Sequence, residues 1–205
     1  MVDAAITDFD TAYGNAGAIA GAETYPQRWR ERAAAFRQEL EAAGRARLAC
    51  LYGDGERAAY DLFLPEGPPA GLAVYVHGGY WKAFGRSEWS HLAAGALARG
   101  FAVAMPSYPL CPAVRIAEIT RHVARFLDTV AAEVSGPIRL SGHSAGGHLV
   151  TRMLCTDSPL EADVRARIVH TLSISGLHDL RPLLHTKMND TLHLDLAEAR
   201  AESAV

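Results

Sequence analysis

The sequence has few cysteines and no strong charge imbalance. Its 205 residues include three cysteines, Cys50, Cys111 and Cys155, with no Cys-x-x-Cys pair. A disulfide framework or a zinc site of that kind is therefore not expected, and all three should behave as small buried apolar residues. The formal net charge is only −3, which gives no indication of a nucleic-acid partner or of binding to an anionic membrane surface.

Long apolar runs and metal-ligand patterns are also missing. No uncharged stretch reaches the length of a membrane span, and the N-terminal MVDAAITDFD lacks the basic start and apolar run of a signal peptide. We therefore expect a cytoplasmic protein with no membrane partner. Histidines and carboxylates do not cluster at ligand spacing, so no metal is expected. The length and the 49% hydrophobic content suit one globular domain over residues 1–205.

Alternating patterns predict the secondary structure. A helix is expected over about 22–43, with Pro26 near its start and Gly44 past its end, inside an N-terminal helical segment 1–45. A hairpin should follow over 47–53 and 57–65. Further strands are predicted over 72–79, 101–108, 137–142 and 167–176, and further helices over 87–100, 116–134, 145–155 and 192–205. Ser87 is the expected N-cap of the helix over 87–100 and Gly100 its stop. This order predicts an α/β protein with a mostly parallel sheet and helices on both faces.

The stretch IRLSGHSAGGHLV, residues 138–150, predicts a nucleophile elbow at Ser144. It contains Gly-x-Ser-x-Gly between a predicted strand and a predicted helix, where tiny residues let strand and helix pass closely around a strained serine. The alternative is an ordinary glycine-rich helix cap. The N-terminus of the following helix would place a positive dipole end beside a developing negative charge.

A second glycine motif, VYVHGGYW, predicts an oxyanion hole. Backbone N–H groups of Gly78 and Gly79, together with that of Ala145 after the serine, are the expected donors. Tyr80 and Trp81 are the candidate substrate-binding residues, with ordinary loop packing as the alternative.

Two nearby histidines are not expected to be the catalytic base. His77 precedes the serine and should brace the glycine loop through a hydrogen bond. His148 lies one turn along the helix and should face the interior.

Together, HGGYW, SGHSAGGHL and SGLHDLRPL resemble the kynurenine formamidase branch of the α/β-hydrolase fold and, more loosely, the HGG-type esterases. The resemblance runs from about Tyr25 to the C-terminus. It implies that Ser144 is the nucleophile, and that Gly78, Gly79 and Ala145 form the oxyanion hole. It also implies that Tyr80 and Trp81 line the pocket. The implied reaction is hydrolysis of N-formyl-L-kynurenine, or of an aryl or short-chain ester, through an acyl-enzyme, without metal or organic cofactor.

The pattern breaks after the serine, because this fold orders its triad as serine, acid, then histidine. The strands that carry the acid and the histidine have no counterpart after 167–176, so the last strands of the fold are missing from the sequence. Asp179 could be a displaced acid, but a cap for the following turn is the favoured interpretation. None of the later histidines follows the required strand and acid: His148, His170, His178, His185 and His193.

Three explanations for the missing acid and histidine stay open: truncation of a longer hydrolase, which we favour; a partner chain that supplies them; or a non-catalytic relative. The function expected is an impaired serine hydrolase acting on a small molecule. The alternative is a ligand-binding or interaction protein on the same scaffold, and a homodimer remains open. Truncation would leave the strand over 167–176 as an exposed apolar edge, and we expect a marginally stable, association-prone chain.

Overall fold

The computed structural model describes residues 6–14, 17 and 19–205. Its strands are β1 (Ala46–Leu51), β2 (Ala59–Phe63), β3 (Leu72–Val76), β4 (Ala102–Pro106), β5 (Ile138–His143) and β6 (Ile168–Ile174). Its α-helices are α1 (Phe9–Tyr13), α2 (Tyr25–Ala42), α3 (Ala94–Leu97), α4 (Ile116–Glu133), α5 (Ala145–Arg152), α6 (Ala162–Ala166), α7 (Asn189–Leu192) and α8 (Leu196–Ala201). Short 3-10 helices cover Ala22–Thr24, Arg86–Glu88, Ser90–Ala93 and Arg181–His185.

The strands form one six-stranded sheet in the order β1-β2-β4-β3-β5-β6. The hairpin β1–β2 and the β2–β4 pair are antiparallel, whereas β4, β3, β5 and β6 run parallel. The predicted strands, the hairpin and the mostly parallel sheet are thereby confirmed. Because the carboxyl ends of parallel strands share one edge, the loops after β3 and β5 meet there.

Helices cover both faces of the sheet. On one face α4 packs with an apolar stripe at helical spacing, formed by Ile116, Ile119, Val123 and Leu127, all fully buried. On the other face α2 and the segment 86–97 pack against alternate residues of β4, Val103 and Met105. The predicted helix over 116–134 is confirmed within one residue.

Two predicted helices are corrected by the structure. The segment 87–100 is two 3-10 turns and the four-residue α3, interrupted at Trp89 (φ −122°, ψ 1°), where the buried indole packs among other rings. Ser87 is not the N-cap, since the backbone N–H of Gly85 bonds to Glu88 Oε2 at 3.0 Å to start the first turn. The C-terminal stretch is helical only over α7 and α8, because His193 ends α7 with a positive φ of 54°.

Strand β6 pairs only with β5 in the part of the chain that the structure describes. The apolar side chains of Val169, Leu172 and Ile174 are exposed by 51%, 59% and 42%. The expected apolar edge strand is therefore confirmed. Of the cysteines, Cys111 is buried as predicted, while Cys50 and Cys155 are half-buried. No helix among the described residues is both long and apolar enough to cross a bilayer.

Candidate active site

Ser144 lies in the tight turn between β5 and α5. Its backbone has φ 54° and ψ −119°, a conformation that residues with a side chain rarely adopt and that stores strain. Its N–H donates to the carbonyl oxygen of Ile174 at 2.8 Å, which ties the turn to the end of β6. The residue as a whole is buried, with 8% of its surface exposed.

The flanking glycines are required by close approach of the backbone. A Cβ on Gly142 would lie 2.2 Å from the carbonyl oxygen of Gly146. A Cβ on Gly146 would lie 2.0 Å from the carbonyl oxygen of Val76. The Gly-x-Ser-x-Gly spacing therefore lets α5 start directly against the ends of β5 and β3.

The glycine loop after β3 faces this turn. A Cβ on Gly78 would lie 2.7 Å from the carbonyl oxygen of His143 and 3.0 Å from Ser144 Cβ. Gly79 has a φ of +117°, which suits glycine alone. The backbone N–H groups of Gly79 and Ala145 donate to no other group among the described residues. Both are thus available to a developing oxyanion beside Ser144.

A buried histidine and tyrosine hold the glycine loop. His77 Nδ1 lies 2.7 Å from the carbonyl oxygen of Gly78; because a carbonyl only accepts, the nitrogen carries the proton and donates. Burial lowers the pKa of His77 to about 4, so the ring is neutral. Tyr108 stacks on this ring with centroids 4.2 Å apart and donates its hydroxyl proton to the carbonyl oxygen of His77 at 2.8 Å. The bracing role expected for His77 has the geometry it needs.

A cavity of about 540 Å³ opens beside Ser144. It is lined by both glycines of the loop, by Ser144 and by these further residues: Ile19, Ala22, Tyr25, Pro26, Trp29, Tyr80, Phe84, Trp89 and His143. The structure thus brings together Ser144, Gly78, Gly79 and Tyr80. Tyr80 is also anchored, since its hydroxyl group donates to the carbonyl oxygen of Tyr13 at 2.8 Å.

Trp81 departs from the sequence-based expectation. It is fully buried, lies outside the cavity lining and packs edge-on against His148 with ring centroids 5.3 Å apart. Tyr80 and Trp81 both have positive φ values, 50° and 56°. The loop therefore turns sharply here, and the two neighbouring side chains occupy different environments.

Several cavity residues were not predicted as site residues. Tyr25 and Trp29 lie on one face of α2, four residues apart, and Phe84 and Trp89 flank the first 3-10 turn of segment 86–93. The signal in the sequence is the aromatic pair at helical spacing in YPQRW. His143 also lines the cavity, and burial lowers its pKa below the usual value, which keeps its ring neutral at pH 7.

Three of the histidines after Ser144 have contacts that do not involve its hydroxyl group. His148 Nε2 lies 2.6 Å from the carbonyl oxygen of Glu202, and burial lowers its pKa to about 4. His178 Nε2 lies 3.2 Å from Ser173 Oγ, and the ring of His185 packs on Phe9 at 5.0 Å. His170 and His193 are exposed. The buried position expected for His148 is confirmed.

Asp179 is not the N-cap of the turn that follows it: the N-cap of the 3-10 helix Arg181–His185 is Leu180, and no side chain caps that helix. Asp179 Oδ1 accepts from the backbone N–H of Arg181 at 3.0 Å, and both carboxylate oxygens accept from the Arg181 guanidinium. The hydrogen bonds from Arg181 lower the pKa of Asp179 below its usual value. Among the described residues, no group of three or more histidine, cysteine or acidic side chains could hold a metal ion.

Comparison with known proteins identifies the fold family. A family model described as alpha/beta hydrolase fold matches residues 73–201, which is more than half of the chain. The match includes every cavity-lining residue from Gly78 onwards but none of those before the sheet, Ile19 to Trp29. The chain belongs to the α/β hydrolases. The resemblance and the fold class expected from the sequence are thereby confirmed.

The α/β hydrolase chain has curated relatives named kynurenine formamidase. The protein from Danio rerio is 32% identical over 149 residues, 70% of this chain and 50% of that protein. The protein from Drosophila melanogaster is 32% identical over 160 residues, 74% of this chain and 53% of that protein. The chain therefore spans about half the length of the curated relatives it matches.

A solved structure is more similar still. The crystal structure of a protein from Silicibacter sp., provisionally described as a thioesterase, is 55% identical. It superposes with a TM-score of 0.93 and covers 96% of this chain and 74% of that chain.

Proposed function

We propose that Ser144 is the nucleophile of a hydrolase that cleaves an aryl formamide or a short-chain carboxylic ester. The observation that carries the proposal is the place of Ser144: a strained turn, beside the glycine loop, at the wall of a cavity of about 540 Å³. The relatives named kynurenine formamidase support a formamide related to N-formyl-L-kynurenine, and the Silicibacter neighbour adds thioesters to the acyl compounds worth testing.

The chemistry is acyl transfer through a covalent intermediate. Ser144 Oγ adds to the carbonyl carbon of the substrate and gives its proton to a base. The oxyanion that forms accepts hydrogen bonds from the N–H groups of Ala145 and the Gly78–Gly79 loop, where each donor is worth about 10²- to 10³-fold in kcat. The intermediate collapses and expels the aryl amine, alcohol or thiol, which takes up a proton. Water then hydrolyses the acyl-serine ester, releasing the acid and restoring the serine hydroxyl group.

The described residues of this chain do not supply an evident base to accept the proton from Ser144 Oγ. His148 and His178 hold other partners, the Glu202 carbonyl oxygen and the Ser173 hydroxyl group. We therefore propose that the 205-residue chain by itself turns over slowly. Oxyanion donors and substrate binding alone leave roughly a 10³-fold acceleration over water when triad members are removed.

The same placement of histidines favours a second candidate, a ligand-binding protein on a hydrolase scaffold. In that case the cavity would bind an aromatic amide or acid tightly and release it unchanged. Strain at Ser144 argues against this candidate, because strained backbone is retained where function needs it.

Hydrolysis of N-formyl-L-kynurenine, p-nitrophenyl acetate and thiophenyl acetate tests the proposal, with covalent labelling by a fluorophosphonate as a second measurement. Ser144→Ala should abolish both turnover and labelling, while Ser87→Ala, at an exposed serine, should change neither. Turnover that survives Ser144→Ala would overturn the assignment. A folded parent chain that binds these compounds but is neither labelled nor active would favour the binding protein.

Three further proposals concern the whole molecule. We treat residues 1–205 as one domain that includes the helical segment 1–45, since α2 packs on the sheet and lines the cavity.

We also propose that the protein lies in the cytoplasm and acts on a small molecule, without nucleic-acid or membrane partners. A homodimer is the third proposal, and the exposed β6 edge supports it.

A further inference from the structure

Four aromatic residues from separate parts of the chain line the cavity together: Tyr25 and Trp29 of α2, Phe84 and Trp89. We call them the aromatic box. The Trp29 ring lies 4.7 Å from that of Trp89, tilted by 36°, and 5.9 Å from that of Phe84 at 73°. Tyr25 lies 6.0 Å from Trp29. Trp29 is the member that contacts all three others.

Polar contacts fix α2 to the segment that carries Phe84 and Trp89. Glu88 Oε2 accepts from the backbone N–H of Gly85 at 3.0 Å, and its other carboxylate oxygen pairs with Arg30 Nε at 3.6 Å. Arg37 Nη1 donates to Ser90 Oγ at 2.9 Å. Glu88 thus links the residue after Trp29 to the residue after Phe84. The relative positions of the rings are therefore set before any ligand arrives, which lowers the entropy cost of binding.

The cavity lining divides by chemistry. Ser144, His143 and the glycine loop supply polar atoms, whereas the aromatic box and Ile19 supply apolar surface. Trp29 is half-buried, so part of its indole face remains for a ligand. Ring faces at these spacings favour a flat aromatic group, because stacked and edge-on ring pairs gain energy beyond the burial of apolar area.

We propose that Trp29 is a specificity-determining residue: it closes the cavity on an aryl group and selects aryl over alkyl substrates. This inference rests on the proposed function in one respect: it assumes that the carbonyl group of the substrate lies beside Ser144. It assigns the choice of substrate to the helix that precedes the sheet, outside the matched family region of residues 73–201.

The test measures binding without turnover. Acetanilide and N-methylacetamide share an amide and differ in the aryl group, and each is titrated by NMR into the full 205-residue chain carrying Ser144→Ala. With Trp29→Ala added, acetanilide should bind about 10-fold more weakly, and with Trp29→Phe within about 3-fold of the parent. The matched control is Phe36→Leu on the same helix, because Phe36 packs on Phe63 at 5.7 Å; it should change neither affinity.

Trp29→Leu keeps an apolar side chain without a ring face, so it provides the comparison should Trp29→Ala fail to fold. Acetanilide affinity equal to that of the parent in a folded Trp29→Leu protein would overturn the inference. So would equal losses for acetanilide and N-methylacetamide. Trp29-dependent binding in a chain that hydrolyses nothing would support the inference while the proposed function fails. If the chain hydrolyses phenyl acetate and Trp29→Leu leaves the preference for aryl compounds unchanged, the proposed function would be supported and the inference about Trp29 overturned.

Discussion

Gly146, in the first turn of α5, lies so close to Val76 at the end of β3 that a Cβ on it would be 2.0 Å from the Val76 carbonyl oxygen. That oxygen belongs to backbone, which cannot move aside as a flexible side chain can. The turn at Ser144 is therefore fixed by backbone contact between strand ends and a helix start, before any side chain contributes.

Gly146→Ala should consequently destabilise the chain. Overpacking of this kind costs about 3 kcal/mol, and urea unfolding followed by circular dichroism measures it. The control is Gly95→Ala in α3, where the nearest atom to an added Cβ is Arg99 Nη1 at 3.9 Å; we expect no loss there, since alanine favours a helix by up to about 1 kcal/mol over glycine. Equal effects of the two changes would contradict the close approach.

Strain at Ser144 predicts that glycine stabilises this position. A residue with a side chain at φ 54° and ψ −119° costs on the order of 1–3 kcal/mol, which glycine relieves. Ser144→Gly should therefore be more stable than Ser144→Ala by about 1 kcal/mol, while both lack fluorophosphonate labelling. Urea unfolding of the two variants side by side measures the difference. A Ser144→Gly protein less stable than Ser144→Ala would show that the turn is relaxed.

The strand–turn–helix geometry at Ser144 could be predicted from the sequence because its cause is local. Gly142, Ser144 and Gly146 lie within five residues, and the strand before them and the helix after them each show their own period. The strands of the sheet could also be predicted from local sequence, because buried parallel strands form continuous apolar runs. Local pattern and tertiary structure agree in these elements.

The cavity wall could not be predicted in the same way. Trp29 meets Trp89 across sixty residues of sequence, and no local period reports that contact. Packing of Trp89 among these rings also interrupts the helix expected over 87–100. Trp81 differs from the expectation for a related reason: the direction of its side chain depends on two successive positive φ values, which the motif letters do not reveal.

Buried neutral histidines predict a loss of stability in acid. Burial lowers the pKa of His148 from 6.5 to about 4. The unfolded chain therefore binds a proton between these values that the folded chain excludes. The free energy of unfolding should fall as the pH drops from 6.5 towards 4, by up to about 1.4 kcal/mol per pH unit for each such histidine. His77, with a pKa lowered to about 4 by burial, acts in the same direction.

Urea unfolding of the parent and of His148→Gln at pH 7.0, 6.0 and 5.0 checks this slope. The variant loses one titrating group, so its stability should decline less steeply with falling pH, whatever its stability at pH 7.0. A His148→Gln slope equal to that of the parent would show that the ring of His148 takes up its proton equally well in both states.

The open edge of β6 predicts self-association. Leu172 is 59% exposed on a strand that pairs on one side only within the described structure, and unpaired apolar edges bind other strands. The 205-residue chain should therefore show a concentration-dependent mass by light scattering. Leu172→Lys should shift it towards the monomer, because a charged side chain on an edge opposes strand pairing. The control Leu92→Lys changes a leucine that is 48% exposed in the 3-10 segment and should leave the mass unchanged. A strictly monomeric parent would exclude self-association, and equal effects of the two lysine substitutions would place it away from β6. Either result would remove the support for a homodimer through β6.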